Sequence, residues 1–238
     1  MGGLSYFTPL NDFNLSLILC LETSAKACSV ALSHNGTCIS KVISEGEWKH
    51  SKLLTTQIEQ CLAQSPYKLA ELAAVAVTQG PGSYTGLRVG TSCAKGLCYG
   101  LDIKLISVPT LEIIAQEFRA ETYDSIIPMI DARRMEVYYN IYDNTLQTTQ
   151  ETDNLILDED SLAHLRPEQV LFCGDGAFKV SKYDPASQWV IRPSKALAEH
   201  MAPLAQQRYE AGRFEDLAYY VPFYLKAPNI TKSTKPLF

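Results

Sequence analysis

A glycine-rich stretch in the first half of the chain, residues 78–90, has the residue types and spacing best suited to binding chemistry. The apolar run at 72–77 predicts a buried strand before it, and apolar residues at helical spacing predict a helix after it. Backbone N–H groups of such a loop, together with a helix N-terminus, favour an anion such as phosphate. The residues that would face the anion are Gly80, Gly82, Ser83, Thr85 and Gly86. A tight strand-to-helix turn without a ligand explains the same spacing.

Two catalytic motifs do not match this stretch. A P-loop needs a second glycine followed by lysine, but the residue five positions after Gly80 is Thr85. A nucleophile elbow needs a serine midway between two glycines, but Ser83 directly follows Gly82. Nucleoside-triphosphate hydrolysis by a P-loop and serine hydrolase chemistry are therefore disfavoured.

The composition is that of an ordinary globular protein. The chain has 238 residues, 46% of them hydrophobic and 20% charged, with a formal net charge of −5. This charge and the lack of a dense basic cluster disfavour RNA binding by the chain alone. Residues 1–14 have no basic leader pattern, and no apolar run has the length of a membrane helix, so we expect an N-terminal extension and no membrane partner.

The cysteines and histidines indicate the cellular compartment of the protein and argue against a metal site. Seven cysteines without a C-x-x-C pair indicate free, mostly buried thiols in a reducing compartment, which predicts a cytoplasmic protein. The four histidines are far apart in sequence, so no two of them can share one helix face as metal ligands. We expect no metal site.

The first half opens with three strands, predicted at 15–21, 28–32 and 37–44. The Asn35-Gly36 dipeptide is a strong hairpin signal between the second and third. A further strand at 103–108 leads into a helix that begins after Pro109. These patterns predict three antiparallel strands followed by alternating strands and helices.

Two helices flank the glycine-rich stretch. The helix at 48–64 carries a stripe of Leu54, Ile58, Cys61 and Leu62, which Leu53 widens. The helix at 86–101 contains Gly90, Gly96 and Gly100, each of which costs about 1 kcal/mol relative to alanine. Close approach of another backbone would offset that cost. The partner of both helices is either the core of this chain or a second subunit.

The second half repeats the opening pattern less clearly. A strand at 126–131 ends at Asp131, and Arg133-Arg134 form a turn before a strand at 136–142. Asp131 is either salt-bridged to one of these arginines or the counterpart of Glu22, at the end of the first strand. A strand at 170–173 runs into a second glycine turn with Gly174 and Gly176.

The remaining segments of the second half are less regular. Residues 143–166 are polar and poorly periodic, which predicts irregular surface. A helix at 195–211 should be kinked or split at Pro203. The tail at 219–238, with three prolines and three lysines, is predicted to be extended, partly mobile and able to reach a partner or RNA.

The string GPGSYTGLRVG at 80–90 resembles the signature of the TsaB (YeaZ-type) family, partner subunits in bacterial tRNA threonylcarbamoyladenosine synthesis. The resemblance covers most of the chain from about residue 15. It continues in LETS at 21–24, HS at 50–51, AKGL at 94–97, VPTL at 108–111, DARRMEVY at 131–138 and PFYL at 222–225.

The resemblance implies a two-lobed α/β fold of the actin-like ATPase (ribonuclease H-like) type, made of two similar mixed-sheet subdomains. The expected divisions are the extension 1–14, a first subdomain 15–109, a second subdomain 110–212 and a C-terminal tail 213–238. The positions that would face a nucleotide or its phosphates are Glu22, Thr23, Ser24, Gly80, Gly82, Ser83, Thr85, Gly86, Asp131, Gly174 and Gly176.

The resemblance also implies a non-catalytic subunit that activates a TsaD-like threonylcarbamoyl transferase. The family more commonly has aspartate where Glu22 stands, its catalytic relatives carry a histidine pair where this chain has only His50, and no nucleophile has a base beside it. The implied partner interface contains His50, Leu53, Leu54, Ile58, Cys61, Arg88, Gly90 and Ala94.

Further expected partners are a TsaE-like ATPase, tRNA bound only through the complex, and a second copy when the chain is isolated. The chain should require no cofactor, with ATP or ADP bound weakly in the complex. The alternative function is a nucleotide-binding small-molecule kinase, or a transferase acting alone, of the same superfamily.

Overall fold

The computed structural model describes residues 16–44, 50–161, 169–183 and 189–226, which form two five-stranded sheets with flanking helices. The first sheet has the order β3-β2-β1-β4-β5. Its strands are β1 Leu17–Glu22, β2 Cys28–His34, β3 Thr37–Ser44, β4 Ala74–Gly80 and β5 Lys104–Pro109. The helices are α1 His50–Ala63, α2 Tyr84–Leu101, α3 Thr110–Gln116 and α4 Ala198–Glu210.

The residue patterns explain the positions of the strands in this sheet. All six residues of β1 are buried, because β1 lies between antiparallel β2 and parallel β4. Strand β3 is an edge strand, and its side chains are mostly half-buried or exposed. The predicted three-stranded antiparallel opening is confirmed, with Asn35 and Gly36 in the left-handed conformation that the β2–β3 turn requires.

The second sheet repeats the strand order of the first. Its strands are β6 Ser125–Asp131, β7 Glu136–Tyr142, β8 Thr148–Ile156, β9 Val170–Cys173 and β10 Val190–Arg192, in the order β10-β9-β6-β7-β8. The antiparallel pairs β6–β7 and β7–β8 and the parallel pairs β6–β9 and β9–β10 match those of the first sheet. A 3-10 segment, Ala177–Tyr183, follows β9 where α2 follows β4. Two similar mixed-sheet lobes are therefore confirmed.

Two features of the second half differ from what the sequence predicted. Residues 143–166 contain β8, whose polar sequence obscured it because an edge strand needs few buried side chains. Helix α4 continues through Pro203 without being split, since the buried residues Met201, Leu204 and Ala205 pack that stretch against the first sheet. This packing offsets a proline cost of about 3 kcal/mol.

One continuous core joins the two lobes through α3 and α4. It includes Ile18 and Ile106 of the first sheet, Ile126 and Leu171 of the second, and Met201 of α4. Helix α4 contacts β1, β2, β3 and β5, so the end of the predicted second subdomain, 110–212, lies against the first sheet. No helix within the described parts of the chain is long and apolar enough to cross a membrane.

The seven cysteines are all free thiols, as predicted, and five of them are buried. Burial raises the pKa of Cys98 to about 11 and that of Cys28 to about 12. Thiols with raised pKa values inside the core are poor nucleophiles, so these side chains act as small apolar residues.

Candidate functional site

The predicted glycine loop connects the carboxyl end of β4 to α2, as its sequence indicated. Helix α2 begins at Tyr84, two residues earlier than expected, because the Ser83 hydroxyl caps it by accepting a hydrogen bond from the Gly86 N–H at 3.2 Å. The Gly80-Pro81 peptide is cis. The loop lies against the β1–β2 connection, residues 23–27.

The chain's own atoms fill the concave side of the glycine loop. A Cβ atom on Gly82 would lie 2.6 Å from Ser24 Cβ, and one on Gly86 would lie 2.0 Å from the Thr23 carbonyl oxygen. The Ser83 N–H donates to the Ser24 carbonyl at 2.7 Å, and the Thr23 hydroxyl donates to the Gly86 carbonyl at 2.8 Å. These glycines are required for close contact with the β1–β2 connection.

The C-terminal segment covers the end of β4. The Phe223 N–H donates to the Gln79 carbonyl at 2.8 Å, and a Cβ atom on Gly80 would lie 2.4 Å from the Phe223 carbonyl oxygen. Tyr220 is only 8% exposed, and the ring of Tyr224 lies 4.8 Å from that of Tyr84. The described part of the tail, 219–226, contains no helix or strand, as predicted, and contacts the first lobe through Tyr220, Phe223 and Tyr224. Residues 227–238 lie outside the described residues.

Glu22 is fully buried at the end of β1. Its Oε1 accepts hydrogen bonds from the Ser24 N–H and hydroxyl, each at 2.6 Å, and its Oε2 accepts one from the Thr78 hydroxyl. Burial raises the pKa of this carboxyl from 4.5 to about 7, although the hydrogen bonds from Ser24 and Thr78 oppose the shift. The carboxyl group joins β1 to β4 and exposes no surface to a ligand.

The second glycine turn packs in a similar way. A Cβ atom on Gly174 would lie 2.3 Å from the Met129 carbonyl oxygen, and one on Gly176 would lie 2.9 Å from the Ile130 carbonyl carbon. Asp131, exposed at the end of β6, pairs with Lys179 Nζ at 2.5 Å. One alternative from the sequence was a salt bridge to Arg133 or Arg134. Instead, the Asp131 carboxylate pairs with Lys179 and accepts the Arg133 backbone N–H at 2.6 Å.

A groove of about 460 Å³ lies between α1 and α2. It is lined by Leu54, Thr55, Tyr84, Thr85, Arg88, Val89, Ser92 and Cys93. The Arg88 guanidinium lies 5.3 Å from the centre of the Tyr84 ring and donates to the Tyr84 hydroxyl at 3.1 Å. The Arg88 side chain is thus held against Tyr84 at the groove.

Comparison with known proteins relates this fold to one family. The family model for tRNA N6-adenosine threonylcarbamoyltransferase, TsaD, matches residues 44–224. The tRNA threonylcarbamoyladenosine biosynthesis protein TsaB of Escherichia coli K12 is 30% identical over 220 residues, which cover 88% of this chain and 94% of that protein. The chain belongs to the TsaB family. Haemophilus influenzae TsaB is 39% identical over 130 residues, 53% of each chain.

A solved structure supports the same assignment. YeaZ from Pseudomonas aeruginosa superposes with a TM-score of 0.77 at 25% identity, covering 89% of this chain and all of that one. This TsaB-family chain therefore has the two-lobed α/β fold of the actin-like type.

The positions that the TsaB resemblance marked as nucleotide-facing are largely closed. Glu22, Thr23 and Ser24 are buried, so their side chains present little surface to a nucleotide in this structure. The glycines of both turns are occupied by neighbouring backbone and side-chain atoms. Among these positions Thr85 and Asp131 are exposed, and they lie in different lobes.

The predicted TsaB interface residues divide into core and surface. Ile58, Cys61 and Ala94 are buried in the core cluster beneath α1 and α2. Gly90 is also buried, because Thr23 fills the space beside it. These four residues therefore lie in the core of the chain and not on its surface. The apolar stripe of α1 faces the core, because α1 packs against β2 and β3. Leu54 is 2% exposed at the edge of the groove.

The remaining predicted interface residues are Leu53, which is half-buried, Arg88, which is exposed, and His50, whose side chain lies outside the described residues. The sequence did not identify five residues that line the groove, namely Thr55, Tyr84, Val89, Ser92 and Cys93. The spacing of Thr85, Arg88 and Ser92 along one helix face was the available signal.

Proposed function

We propose that this chain is the non-catalytic subunit of a tRNA threonylcarbamoyladenosine synthesis complex and binds a TsaD-like transferase through the groove between α1 and α2. The observation that carries the proposal is the closure of the glycine loop by Thr23, Ser24 and Phe223. A loop whose concave side holds the chain's own atoms supports the fold and offers little room for an acyl or phosphoryl donor.

The names of the relatives support a role in tRNA threonylcarbamoyladenosine biosynthesis. The chain spans 94% of Escherichia coli TsaB, so the similarity extends over nearly the whole of that protein. The match to the TsaD family model supports a common origin with the transferase, as expected when one of two related subunits retains catalysis.

The chemistry of the groove supports its use as a partner site. Leu54, Val89 and Cys93 provide an apolar lining, while Thr55 and Ser92 are exposed polar residues at its surface. Tyrosine and arginine are enriched among the residues that dominate binding energy in protein interfaces, and Tyr84 and Arg88 are already stacked together. A second copy of the chain would compete for the same groove in the isolated protein.

Other members of the complex follow from the same assignment. ATP or ADP would bind weakly, and only once the partner completes a site. A TsaE-like ATPase would act on the assembled complex. tRNA would be held by the assembly as a whole.

The groove is tested with a matched pair of variants, Thr55→Arg and Thr56→Arg. Both threonines are exposed on α1, but only Thr55 lines the groove. Thr55→Arg should weaken binding to the TsaD-like subunit more than tenfold, since a bulky charge would fill the groove, whereas Thr56→Arg should bind like the wild type. Calorimetric titration of the two purified subunits measures both affinities.

Equal affinities for the two variants would contradict the groove as the interface. Threonylcarbamoyl transfer to tRNA by the isolated chain would contradict the non-catalytic role. Calorimetry with ATP and Mg²⁺ tests the alternative of a stand-alone kinase or transferase, which requires stoichiometric nucleotide binding without a partner.

A further inference from the structure

Four large apolar side chains are exposed beside α2, on the side where the C-terminal segment runs. Tyr99 of α2 and Tyr219 are each 84% exposed, Val221 is 71% exposed and Phe223 is 39% exposed. Single exposed apolar residues are common on protein surfaces, but several that lie together are typical of an interaction site. We call these four residues the apolar face.

The C-terminal segment contributes three of the four residues. Between 219 and 223 its side chains alternate, with Tyr219, Val221 and Phe223 exposed and Tyr220 and Pro222 buried. The two buried side chains hold the segment against the protein. The three exposed side chains are therefore left on its outer side.

Helix α2 supplies the fourth residue. Lys95 Nζ donates to the carbonyls of Ala218 and Tyr220, at 3.2 and 3.3 Å, so the helix holds the segment on both sides of Tyr219. Tyr99 lies one helical turn after Lys95, on the same side of α2. Tyr99 and Tyr219 are therefore neighbours along the line where α2 meets the segment.

The apolar face continues into the groove between α1 and α2. The ring of Tyr224, which follows Phe223, lies 4.8 Å from the ring of Tyr84, and Tyr84 lines the groove. Tyr84, Arg88 and Tyr99 lie on one side of α2, because their spacings are close to one and three helical turns. One surface thus extends from the groove to the C-terminal segment.

The groove alone is smaller than a stable interface. Eight residues line it, whereas a specific interface of standard size takes about 20–30 residues from each partner. A partner seated in the groove must therefore cover neighbouring surface as well. The apolar face adjoins the groove at Tyr84, and tyrosine and phenylalanine are enriched at the centres of protein interfaces.

We propose that the TsaD-like subunit, which fills the groove, also covers the apolar face with an apolar surface of its own. The inference rests on the proposed function for the identity of the partner. It assigns the C-terminal segment a part in partner binding, beyond its contacts with β4. A second copy of the chain and residues 227–238 are the alternative occupants.

The double variant Tyr99→Gln, Tyr219→Gln tests the apolar face. Both side chains are mostly exposed, so their replacement should leave thermal unfolding close to that of the wild type. Calorimetric titration of the full-length chain with the TsaD-like subunit should show at least tenfold weaker binding. The heat-capacity change of binding should also become less negative, because it follows the apolar area that the complex buries.

The matched control is Ile156→Gln, Phe178→Gln. These two apolar residues are 65% and 53% exposed and belong to the second lobe. The control should keep the affinity and the heat-capacity change of the wild type. Equal affinities for the wild type and the Tyr99→Gln, Tyr219→Gln variant would overturn the proposal.

The alternative occupants give different results. If the wild type self-associates, the Tyr99→Gln, Tyr219→Gln variant is monomeric and both bind the TsaD-like subunit equally, the face joins two copies and the proposal is wrong. If the affinity is unchanged, but this variant and a chain ending at Lys226 are both less stable than the wild type, residues 227–238 cover the face and the proposal is wrong.

The groove variant Thr55→Arg separates this inference from the proposed function. If Thr55→Arg weakens binding and the Tyr99→Gln, Tyr219→Gln variant does not, the groove remains the interface and only this inference fails. If the wild-type chain does not bind the TsaD-like subunit, both fail.

Discussion

The buried carboxyl group of Glu22 makes the stability of the protein depend on pH. The native state holds this proton up to a pH of about 7, whereas the unfolded chain releases it near 4.5. Between these values the native state binds more protons, so the free energy of unfolding falls as pH rises. The difference of about 2.5 pKa units corresponds to about 3 kcal/mol.

We expect Glu22→Gln to remove this pH dependence. An amide can accept hydrogen bonds from Ser24 and donate to the Thr78 hydroxyl, which in turn can donate to the Leu21 carbonyl 3.3 Å away. Urea unfolding at pH 5 and pH 8 should show a smaller loss of stability at pH 8 for Glu22→Gln than for the wild type. Glu59→Gln, on the exposed face of α1, is the control. A loss in Glu22→Gln as large as in the wild type would contradict the prediction.

Helix α2 contains glycines with different physical roles. A Cβ atom on Gly90 would lie 2.3 Å from the Thr23 hydroxyl oxygen, whereas one on Gly96 would meet nothing within 4 Å. The cost of glycine in a helix is therefore offset by close packing at Gly90 but not at Gly96 within this chain. The intramolecular explanation that the sequence left open holds for Gly90.

Alanine at these two positions should change stability in opposite directions. Gly90→Ala should destabilise the protein by about 1–3 kcal/mol, because the new methyl group forces Thr23 away from the Gly86 carbonyl. Gly96→Ala should stabilise it by about 1 kcal/mol through helix propensity. Chemical denaturation of both variants measures the difference, and shifts of the same sign would show that the packing around Gly90 is misassigned.

At the scale of the whole molecule, the C-terminal segment ties distant elements together. Lys95 Nζ donates to the Ala218 and Tyr220 carbonyls at 3.2 and 3.3 Å, and the Glu215 N–H donates to the Leu105 carbonyl at 2.9 Å. Lys226 then reaches Glu136 in the second lobe. The segment thus runs from the first sheet to the second.

Two truncations test this role. A chain ending at Asp216 loses the buried Tyr220 and the contact of Phe223 with β4, and its free energy of unfolding should fall by about 3–5 kcal/mol. A chain ending at Lys226 keeps these contacts and should remain close to the wild type. Thermal and urea unfolding compare the two, and equal stability would mean that the segment contributes little.

Local sequence patterns predicted most of the elements that build the lobes. The apolar runs of β1, β4 and β6 and the periodicity of α1 and α2 were sufficient, because each pattern depends on residues a few positions apart. The motif at residues 80–90 indicated the family and hence the two-lobed fold. Strand β8 escaped prediction because its backbone pairing with β7 does not require an apolar sequence.

The residues that fill the space beside the glycine turns are distant in sequence, so no local pattern could predict them. Thr23 bonds to Gly86 across 63 positions, and Phe223 reaches Gly80 from the far end of the chain. A glycine that admits a phosphate and a glycine that admits a neighbouring backbone have the same local sequence signal, because both need only the absence of a side chain. Folding brought Thr23, Ser24 and Phe223 into that space, which closed the turn that the sequence alone had left open to a ligand.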